Sequence, residues 1–444
     1  MRKTPIDKLV VLPVNKFIKS STASGIVLFS SVVIALLLAN SPWADAFHHF
    51  WEYEFGVKLM HYEFSKNLHH WINDGLMAIF FFVVGLELKR EFIDGELSDP
   101  KNAILPIGAG LGGMIFPALI YLFFNHDSTA SDGWGIPMAT DIAFALGILH
   151  LLGKKVPLAL KVFLTVLAIA DDIGAVLVIA FFYTSDISLY SLGMASIFLG
   201  IMFIANIVGV RSFLFYAIVG LGGFWLAFSM SGVHATISGV LAAFTIPGNV
   251  KIKAGNYVEQ MKKLIHQFEN AKRRKDSPLI SWSQMRSIEK MRFYSKAAMT
   301  PLQLLEHYLH PIVAFIIMPI FALANAGLTF TSEIFTHIAS PVTMGIFLGL
   351  ILGKSIGITL VTKLLTTLKI TDLPEDVTWT QIVGVSFIAG VGFTMSLFIN
   401  NLAFATPLFL SEAKIGILMA SIVSGLIGYL TIKGTLNRKR LKPH

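Results

Sequence analysis

The chain has 444 residues, of which 55% are hydrophobic and only 14% are charged, whereas soluble proteins carry about a quarter charged residues. Apolar stretches of about 20 residues, long enough to cross a bilayer core of about 30 Å, recur along the sequence. The composition therefore excludes a soluble protein and predicts an all-α polytopic membrane protein. The absence of cysteine excludes disulfides and thiolate metal sites. The start, MRKTPIDKLVVLPVNKF, lacks an apolar stretch with a cleavage site, so we expect no cleaved signal peptide.

Twelve apolar segments have the length of transmembrane helices. In chain order they cover residues 22–40, 71–92, 103–124, 134–152, 157–182, 188–208, 212–229, 231–247, 309–329, 341–362, 379–401 and 411–433. Because this number is even, both chain ends are expected on the same side of the membrane.

Lys and Arg concentrate on every second connection. The connections on the other side of the membrane near 125–133, 183–187, 330–340 and 402–410 contain no Lys or Arg. The exception there is the first connection, which holds Lys58 and Lys66. Under the positive-inside rule both termini are cytoplasmic. The net charge of +8 is thus a topology signal and not the footprint of a nucleic-acid-binding protein.

Residues 41–70 form the first long connection. The segment FHHFWEYEFGVKLMHYEF alternates aromatic and acidic residues from Trp51 to Phe55, and a period of two is typical of a β-strand. The sequence predicts a strand or hairpin on the external face.

The fourth predicted span, GWGIPMATDIAFALGIL, carries Gly133, Gly135 and Pro137 ahead of Thr140 and Asp141. Proline lacks the backbone donor of a helix interior, and glycine also disfavours a continuous helix. We expect this span to be interrupted in mid-membrane, with Asp141 offsetting the partial positive charge of exposed helix N-termini. Close helix packing through small residues is the alternative.

The fifth predicted span, LAIADDIGAVLVI, places Asp171 beside Asp172. Adjacent helix positions differ by about 100°, so one carboxylate can reach a neighbouring helix while the other faces a cavity. Two close carboxylates titrate as a coupled pair. Because protons and cations need the same oxygen lone pairs, the pair predicts competitive exchange of a proton for a cation.

Residues 248–308 form a long connection with twelve Lys/Arg. The segment KKLIHQFENAKRRKD predicts a solvated basic helix on the cytoplasmic side. Contact of these basic residues with anionic lipid, or a regulatory role, is the alternative.

The tenth predicted span holds Lys354, and the eleventh, VGVSFIAGVGFTMSLFI, holds Gly384, Gly390 and Gly392 at its centre. We expect a second interruption there, with Lys354 offsetting exposed helix C-termini. A charge at a helix centre costs roughly 2.5–3.5 kcal/mol, so the aspartates and the lysine need partners, protons, water or an ion. A purely structural Asp–Lys pair is the alternative. The remaining ionisable residues inside the spans are Glu87, His234 and Asp74, and we assign no transport role to Asp74.

Six long motifs follow one another across nearly the whole chain. They are WINDGLMAIFFFVVGLELKRE at 71–91, ATDIAFALGIL at 139–149, LAIADDIGAVLVIA at 167–180, GVHATISGVLAAFTIP at 232–247, LEHYLHPIVAFIIMPIFALANAG at 305–327 and GKSIGI at 353–358. In this order they resemble the NhaA family of bacterial Na⁺/H⁺ antiporters.

The resemblance implies a fold of inverted-topology repeats with two discontinuous helices that cross at mid-membrane. The ion-translocating core would comprise 103–182 and 341–433, and the panel would comprise 22–92 and 188–329. The external hairpin would join two subunits of a homodimer. The basic insert, residues 248–300 of the long basic connection, is longer than in the best-known members of the family. The assignment of the core does not depend on it.

By matching position, the resemblance implies that Asp172 is the principal cation-binding carboxylate. Asp171 would pair with Lys354 in a salt bridge that breaks as ions exchange. Asp141 and Thr140 would lie where the broken helices cross, with Asp141 balancing helix ends and Thr140 lending an oxygen to Na⁺. The implied activity is electrogenic export of Na⁺ or Li⁺ in exchange for protons, active at alkaline pH, by a transporter that is not an enzyme and needs no cofactor.

The resemblance also implies pH-sensing residues. They would be Glu87, Glu306, His307 and His310 at cytoplasmic helix ends, with His234 near the external end of its span. Solvated, dipole-compensating charges are the alternative for the first four, and a structural histidine is the alternative for His234.

Three other activities would also place carboxylates in a membrane. A passive cation channel would carry current without coupled proton flux, and a Na⁺-driven symporter differs only in the direction of the coupled ion. An intramembrane aspartyl protease would use two facing aspartates such as Asp141 and Asp172, but the sequence contains no G-x-G-D stretch.

Overall fold

The structure, a computed structural model, describes residues 23–59, 62–184, 187–271, 279–330, 337–374 and 376–440. The basic residues predicted at the cytoplasmic N-terminus lie outside this part of the chain, as does most of the basic run AKRRKD. The described residues are helical except for one β-hairpin and the connecting loops.

The helices are numbered here in chain order. They are α1 (Ala23–Ala39), α2 (Ala44–Glu52), α3 (Leu68–Asp94), α4 (Pro100–Asn125), α5 (Ser131–Leu151), α6 (Leu158–Phe182), α7 (Leu189–Val208), α8 (Phe213–Ser229), α9 (Thr236–Thr245), α10 (Ala254–Glu269), α11 (Trp282–Ala298), α12 (Pro301–Asn325), α13 (Pro341–Thr367), α14 (Trp379–Ala389), α15 (Phe393–Ala403) and α16 (Pro407–Arg440).

Among the described residues, eight helices are long and apolar enough to cross a membrane: α3 to α7, α12, α13 and α16. The pairs α1–α2 and α14–α15 bend by 114° and 44° at short breaks, which gives up to ten spans if each pair counts as one. Helices α8 and α9 are apolar but shorter. The structure therefore supports an all-α multi-pass membrane protein, while the full count of twelve spans stays a prediction.

The first connection contains the single β-hairpin of the described residues. Strand β1 (Glu54–Leu59) pairs with β2 (Tyr62–Asn67) in antiparallel register, with Glu54 opposite Asn67. The predicted strand was wrong at its start, because Ala44–Glu52 is helical. The aromatic–acidic alternation therefore begins in a helix and continues into β1.

The fourth and eleventh predicted spans are both interrupted. In α5 a 3₁₀ segment, Ser131–Met138, passes into extended residues 139–141 before the α-helix Ile142–Leu151 begins. In the other span, residues 390–392 separate α14 from α15. Gly384, expected at this break, lies inside α14, where an added Cβ would overlap Ile432 of α16. Its role in the fold is close packing.

The two interruptions contact each other. The backbone N–H of Asp141 donates to the Val391 carbonyl over 2.7 Å, and Ser396 Oγ donates to the Ile136 carbonyl over 2.8 Å. Backbone groups that the breaks release are thus paired with the opposite span, as burial in a membrane protein requires.

A separate hydrophobic cluster joins the helices that surround the interruptions. Its buried members include Leu105, Leu149, Phe163, Ile358, Ile382 and Ile432, which come from α4, α5, α6, α13, α14 and α16. These helices belong to the two segments predicted as the core. Their division from the panel helices in transport stays a prediction.

The basic insert contains two antiparallel helices, where the sequence predicts one. The backbone N–H of Lys251 donates to the Ala297 carbonyl over 3.0 Å, and that of Leu302 donates to the Pro247 carbonyl over 3.2 Å. These bonds hold the two ends of the hairpin together beside the start of α12. Helices α10 and α11 thus connect the end of α9 to the start of α12.

Candidate ion-binding site

The first element of the site is a buried ion pair. Asp171 of α6 and Lys354 of α13 have fully buried side chains, and the Lys354 ammonium donates to Asp171 Oδ2. It also donates to Thr140 Oγ1 over 2.8 Å. Because a buried charge needs a hydrogen-bonded partner, the pair compensates both groups in this conformation.

Thr140 connects this ion pair to the broken helix. Its Oγ1 lies 2.7 Å from Asp171 Oδ2 and 2.8 Å from the carbonyl oxygen of Ala389, the last residue of α14. A hydroxyl has one proton, so it can donate to only one of these two acceptors at a time. The ionisation state of Asp171 is therefore linked to the C-terminal end of α14. Lys354 reaches that helix end through Thr140.

Two glycines allow Lys354 to reach this position. A Cβ built on Gly112 of α4 would overlap the Gly357 carbonyl, and a Cβ on Gly357 of α13 would overlap the Gly112 carbonyl. The two helix backbones therefore touch where they cross, as small residues permit in membrane helix packing. This close approach sets the rotation of α13 that turns Lys354 towards α6.

The second element of the site is Asp141, which lies between the N-termini of two half-helices. Its Oδ1 accepts the Phe144 backbone N–H over 3.1 Å, and its Oδ2 accepts the Thr394 backbone N–H over 3.1 Å. The Thr394 hydroxyl also donates to Oδ2. A carboxylate at a helix N-terminus is stabilised by the free N–H groups and by the positive end of the helix dipole.

Asp172 is the third element, and its environment differs from that of the other two aspartates. It is 1% exposed, and neither of its carboxylate oxygens has a hydrogen-bond partner among the described residues. Its electrostatic neighbours are three carboxylates, Asp171, Asp141 and Glu87, against one cation, Lys354. A buried anion in these surroundings needs a proton or a bound cation.

The expected ligand set for Na⁺ is only partly assembled. No hydrogen bond joins Thr140 to Asp172 in the part of the chain that the structure describes, and the Thr140 hydroxyl is engaged with Asp171, Lys354 and Ala389. Nor do the described residues contain a cluster of three or more His, Cys, Asp or Glu that could hold a metal ion.

Three of the expected pH-sensing residues, Glu87, Glu306 and His310, lie at neighbouring ends of α3 and α12. Arg90 joins them, since it pairs with Glu306 and also donates to Glu91 over 2.7 Å. Glu87 and His310 both interact electrostatically with Arg90 and Glu306. This group has mixed charge and links α3 to α12.

The other two expected residues stand apart. His307 is exposed on α12, with its ring 5.7 Å from that of Tyr308. His234 precedes α9 and interacts electrostatically with Asp74. Asp74 and Glu87 are thirteen residues apart on α3, or about 20 Å at 1.5 Å per residue. The structure therefore does not place His234 with the group around Arg90.

Amide side chains connect the helix ends on the side predicted to be external. Asn325 Nδ2 of α12 donates to Asn73 Oδ1 of α3 over 3.0 Å. Asn401 Nδ2 of α15 donates to Asn325 Oδ1 over 2.6 Å. Nearby, the rings of Phe321 and Phe398 pack at 6.2 Å. These contacts hold a predicted core helix against two predicted panel helices.

Several of these residues were not predicted from the sequence. Thr394 follows the glycines of the eleventh span by two positions, which is where a residue that donates to a helix-capping carboxylate would be expected. Arg90 was counted only as a topology signal, although it comes one turn after Glu87. The crossing of Gly112 with Gly357 had no signal, because the contact depends on two distant segments.

The chain is similar to known proteins over nearly its whole length. The sequence model of the family described as Na⁺/H⁺ antiporter 1 matches residues 15–432. The chain is 48% identical over 429 residues to the Na⁺/H⁺ antiporter NhaA of Oleidesulfovibrio alaskensis, covering 97% of this chain and 95% of the relative. It is also 48% identical over 422 residues to the NhaA of Acidithiobacillus ferrooxidans, covering 94% and 96%. Identity to the NhaA of Wolinella succinogenes is 46% over 426 residues, covering 96% and 94%.

Proposed function

Since the chain belongs to the Na⁺/H⁺ antiporter 1 family, we propose that it exports Na⁺ or Li⁺ in exchange for protons and that the two ions compete for Asp172. The observation that carries this proposal is the buried, unpartnered carboxylate of Asp172 beside three other carboxylates. The protein is a secondary transporter in this proposal, without enzymatic activity or a resident cofactor.

Competition follows from the charge of the site. A single uncompensated charge in the membrane costs roughly 2.5–3.5 kcal/mol, and Lys354 already pairs with Asp171. Asp172 is therefore neutralised either by a proton or by a hard cation, and both use the same oxygen lone pairs. Thr140 and backbone oxygens of the break add ligands for the cation once the Thr140 hydroxyl turns away from Asp171.

The ion pair gives the exchange its second titrating group. When Na⁺ binds near Asp171, the hydrogen bond from the Lys354 ammonium to Asp171 weakens. A proton then leaves the coupled pair of Asp171 and Lys354. Displacement of more than one proton by each Na⁺ makes the exchange electrogenic. Asp141 stays bound to the two half-helix N-termini and keeps the crossing intact while the other groups change state.

Alternating access then moves the core helices against the panel, in a fold of inverted-topology repeats. Asp172 is buried in the described conformation, so either direction of access requires contacts to open. On the external side these include the chain Asn73–Asn325–Asn401. Opening there releases Na⁺, and protonation of the site permits return.

The group around Arg90 is the proposed pH sensor. Loss of protons from Glu87 and His310, beside the ion pair of Arg90 with Glu306, makes this part of α3 and α12 more negative, which attracts cations towards Asp172. His307 contributes from the exposed face of α12, and His234 acts separately near the external end of α3. The charged groups thus couple activation to alkaline pH.

The last part of the proposal concerns the membrane location, topology and oligomeric state of the protein. Both termini are cytoplasmic, and the protein lies in the bacterial inner membrane as a homodimer joined through its external β-hairpins. The basic connections face the anionic lipids of the cytoplasmic leaflet. The cytoplasmic termini are supported by the alternation of basic charge along the sequence. The bacterial inner membrane and the homodimer are what membership of the antiporter family implies.

The test is cation-dependent proton movement in everted vesicles, followed by acridine-orange dequenching. Added Na⁺ or Li⁺ should raise the fluorescence, while Asp172→Asn should abolish the response. Asp74→Asn, which removes another carboxylate from an apolar helix, is the matched control and should retain exchange.

Three results would contradict the proposal. Near-normal exchange by Asp172→Asn would remove this carboxylate from the mechanism. A Na⁺ current without proton movement would indicate a channel, and proton movement in the same direction as Na⁺ would indicate a symporter.

A further inference from the structure

The positive charge of the chain is concentrated in the basic insert. Residues 251–298 contain twelve of the 35 Lys/Arg and four of the 27 Asp/Glu. The rest of the chain therefore holds 23 residues of each sign, and the insert accounts for the whole net charge of +8. Such a concentration of cations beside a membrane is attracted to anionic lipid.

The outer face of α11 combines these cations with aromatic rings. Trp282, Arg286, Glu289, Phe293 and Lys296 follow at helical spacings of four, three, four and three residues, so they form one continuous stripe. All five residues are exposed, with Trp282 at 84% and Phe293 at 58%. This set is called the outer stripe below.

The opposite face of α11 is occupied by α10. Gln284 and Ser287 are buried there, and Gln284 Nε2 donates to the Phe268 carbonyl at the end of α10 over 3.4 Å. Tyr257 and Ser295 hydroxyls lie 3.2 Å apart nearer the membrane. The outer stripe therefore points away from the other helix of the hairpin.

A solvated basic helix would explain the cations of the stripe but not the ring of Trp282, which is 84% exposed. Phe293 has Lys251 Nζ 5.8 Å from its ring centroid. Exposed aromatic residues cost free energy in water, whereas a helix at a bilayer surface buries its rings between headgroups and keeps its cations at the phosphates. Met285 beside the stripe is also exposed. The composition of this face fits an anionic interface.

The attachment of α11 brings this face within reach of the membrane. The helix ends at Ala298, and the apolar helix α12 begins at Pro301. Seventeen residues span about 25 Å. Standing upright, the helix would hold Trp282 about 25 Å from the surface, beyond the Debye length of about 8 Å at physiological salt. Only a helix that lies flat can place the whole stripe on headgroups.

We propose that α11 lies along the cytoplasmic leaflet and binds anionic phospholipid through the outer stripe. This rests on the cytoplasmic placement of the insert in the proposed function. The hairpin is thus a lipid-binding arm that joins the ends of α9 and α12. It links the lipid composition of the membrane to α12, which carries Glu306.

The experiment uses the absence of cysteine from the chain. A spin label on Met285→Cys reports on the outer face of α11, and a label on Val258→Cys reports on α10 as a control with similar exposure. Each full-length protein is reconstituted in phosphatidylcholine vesicles with or without phosphatidylglycerol. Accessibility of the label to oxygen and to a water-soluble nickel complex gives its depth.

The Met285→Cys label should become protected from the nickel complex only when phosphatidylglycerol is present, and 1 M KCl should reverse this because the Debye length falls to about 3 Å. The Val258→Cys label should stay accessible throughout. Reversing Arg286 and Lys296 to Glu should lower the bound-to-free ratio of the arm by at least about 25-fold, since each cation at an anionic surface contributes roughly fivefold. Lys262→Glu with Lys263→Glu changes the net charge equally and should have a much smaller effect.

Four results would overturn the proposal. They are protection in phosphatidylcholine alone, equal effects of the two charge reversals, protection that depends on the protein-to-lipid ratio as in contact between copies, and protection that requires added nucleic acid. Na⁺/H⁺ exchange measured in the same vesicles reports separately on the proposed function. Loss of exchange with intact lipid dependence of the label would refute transport and not the arm.

Discussion

Removal of Lys354 should leave Asp171 as a buried anion without its main partner. Lys354→Met keeps most of the apolar stem and deletes the ammonium group that donates to both Asp171 and Thr140. Breaking a buried ion pair by removing one partner costs about 3–5 kcal/mol. We therefore expect a loss of this size in the free energy of unfolding at alkaline pH. The loss should be smaller at acidic pH, where a proton neutralises the isolated carboxylate.

A double-mutant cycle separates the ion pair from the effects of packing. Asp171→Asn combined with Lys354→Met leaves no charge in the pair, and replacing both partners of a buried ion pair is often close to neutral. The double variant should be more stable than Lys354→Met alone. Thermal unfolding of the purified proteins in one detergent, at the two pH values, measures both differences.

Additive effects of the two substitutions would contradict this prediction. If the effects of the two single substitutions add to within about 0.5 kcal/mol, the residues are not energetically coupled. An unchanged stability and pH profile of Lys354→Met would remove this lysine from both the fold and the mechanism.

Three further substitutions test the site and its surroundings. Gly357→Ala should destabilise the protein by about 1–3 kcal/mol, because the new methyl group overlaps a backbone carbonyl. Gly434→Ala, with open space around it, should be near neutral in the same unfolding assay. Thr394→Val should cost about 1.5–3 kcal/mol, since Asp141 loses one hydrogen bond to a charged group. A change below about 0.5 kcal/mol would mean that the backbone N–H is sufficient. Arg90→Gln should move the activation midpoint of Na⁺ exchange to higher pH, because carboxylates that lose a neighbouring cation ionise less readily. An unchanged or lower midpoint would contradict this role.

The ionisable residues of the site could be predicted from the sequence because ionisable side chains are rare inside apolar membrane spans and mark functional sites there. Asp171 and Asp172 stand out in an apolar span, and the cost of a charge in a membrane follows from general physical chemistry. Which of the two aspartates meets Lys354 cannot be derived from the span alone, since it depends on the rotation of α6 relative to α13. That rotation depends on the contact between Gly112 and Gly357, which are 245 positions apart. The resemblance to a known family supplied the assignment by matching position.

The interruptions of the helices were also predictable only in part from the sequence. Pro137 and the glycines at 390 and 392 mark the breaks because their backbone properties act locally. Gly384 carries the same local signal but serves helix packing against Ile432, which a single span does not reveal. Likewise, the alternation of residues after Trp51 was no guide to where the first strand begins, since tertiary packing outweighs a short periodicity.

The identities of the pH-related residues could be predicted from the sequence, but their contacts with one another could not. Glu87 and Glu306 are recognisable as charges at helix ends, whereas their connection through Arg90 requires α3 and α12 to pack together. His234 has the same residue type as His310 and lies at the opposite end of α3. Its location depends on the packing of α9 against α3.

The most direct test of the account is Na⁺ binding to the purified protein at a series of pH values, measured by calorimetry. If H⁺ and Na⁺ exclude each other at Asp172, affinity should fall by about tenfold for each pH unit on the acidic side for every proton displaced, and binding should release protons into the buffer. The same affinity at acidic and alkaline pH, without proton release, would contradict the claim that one carboxylate serves both ions.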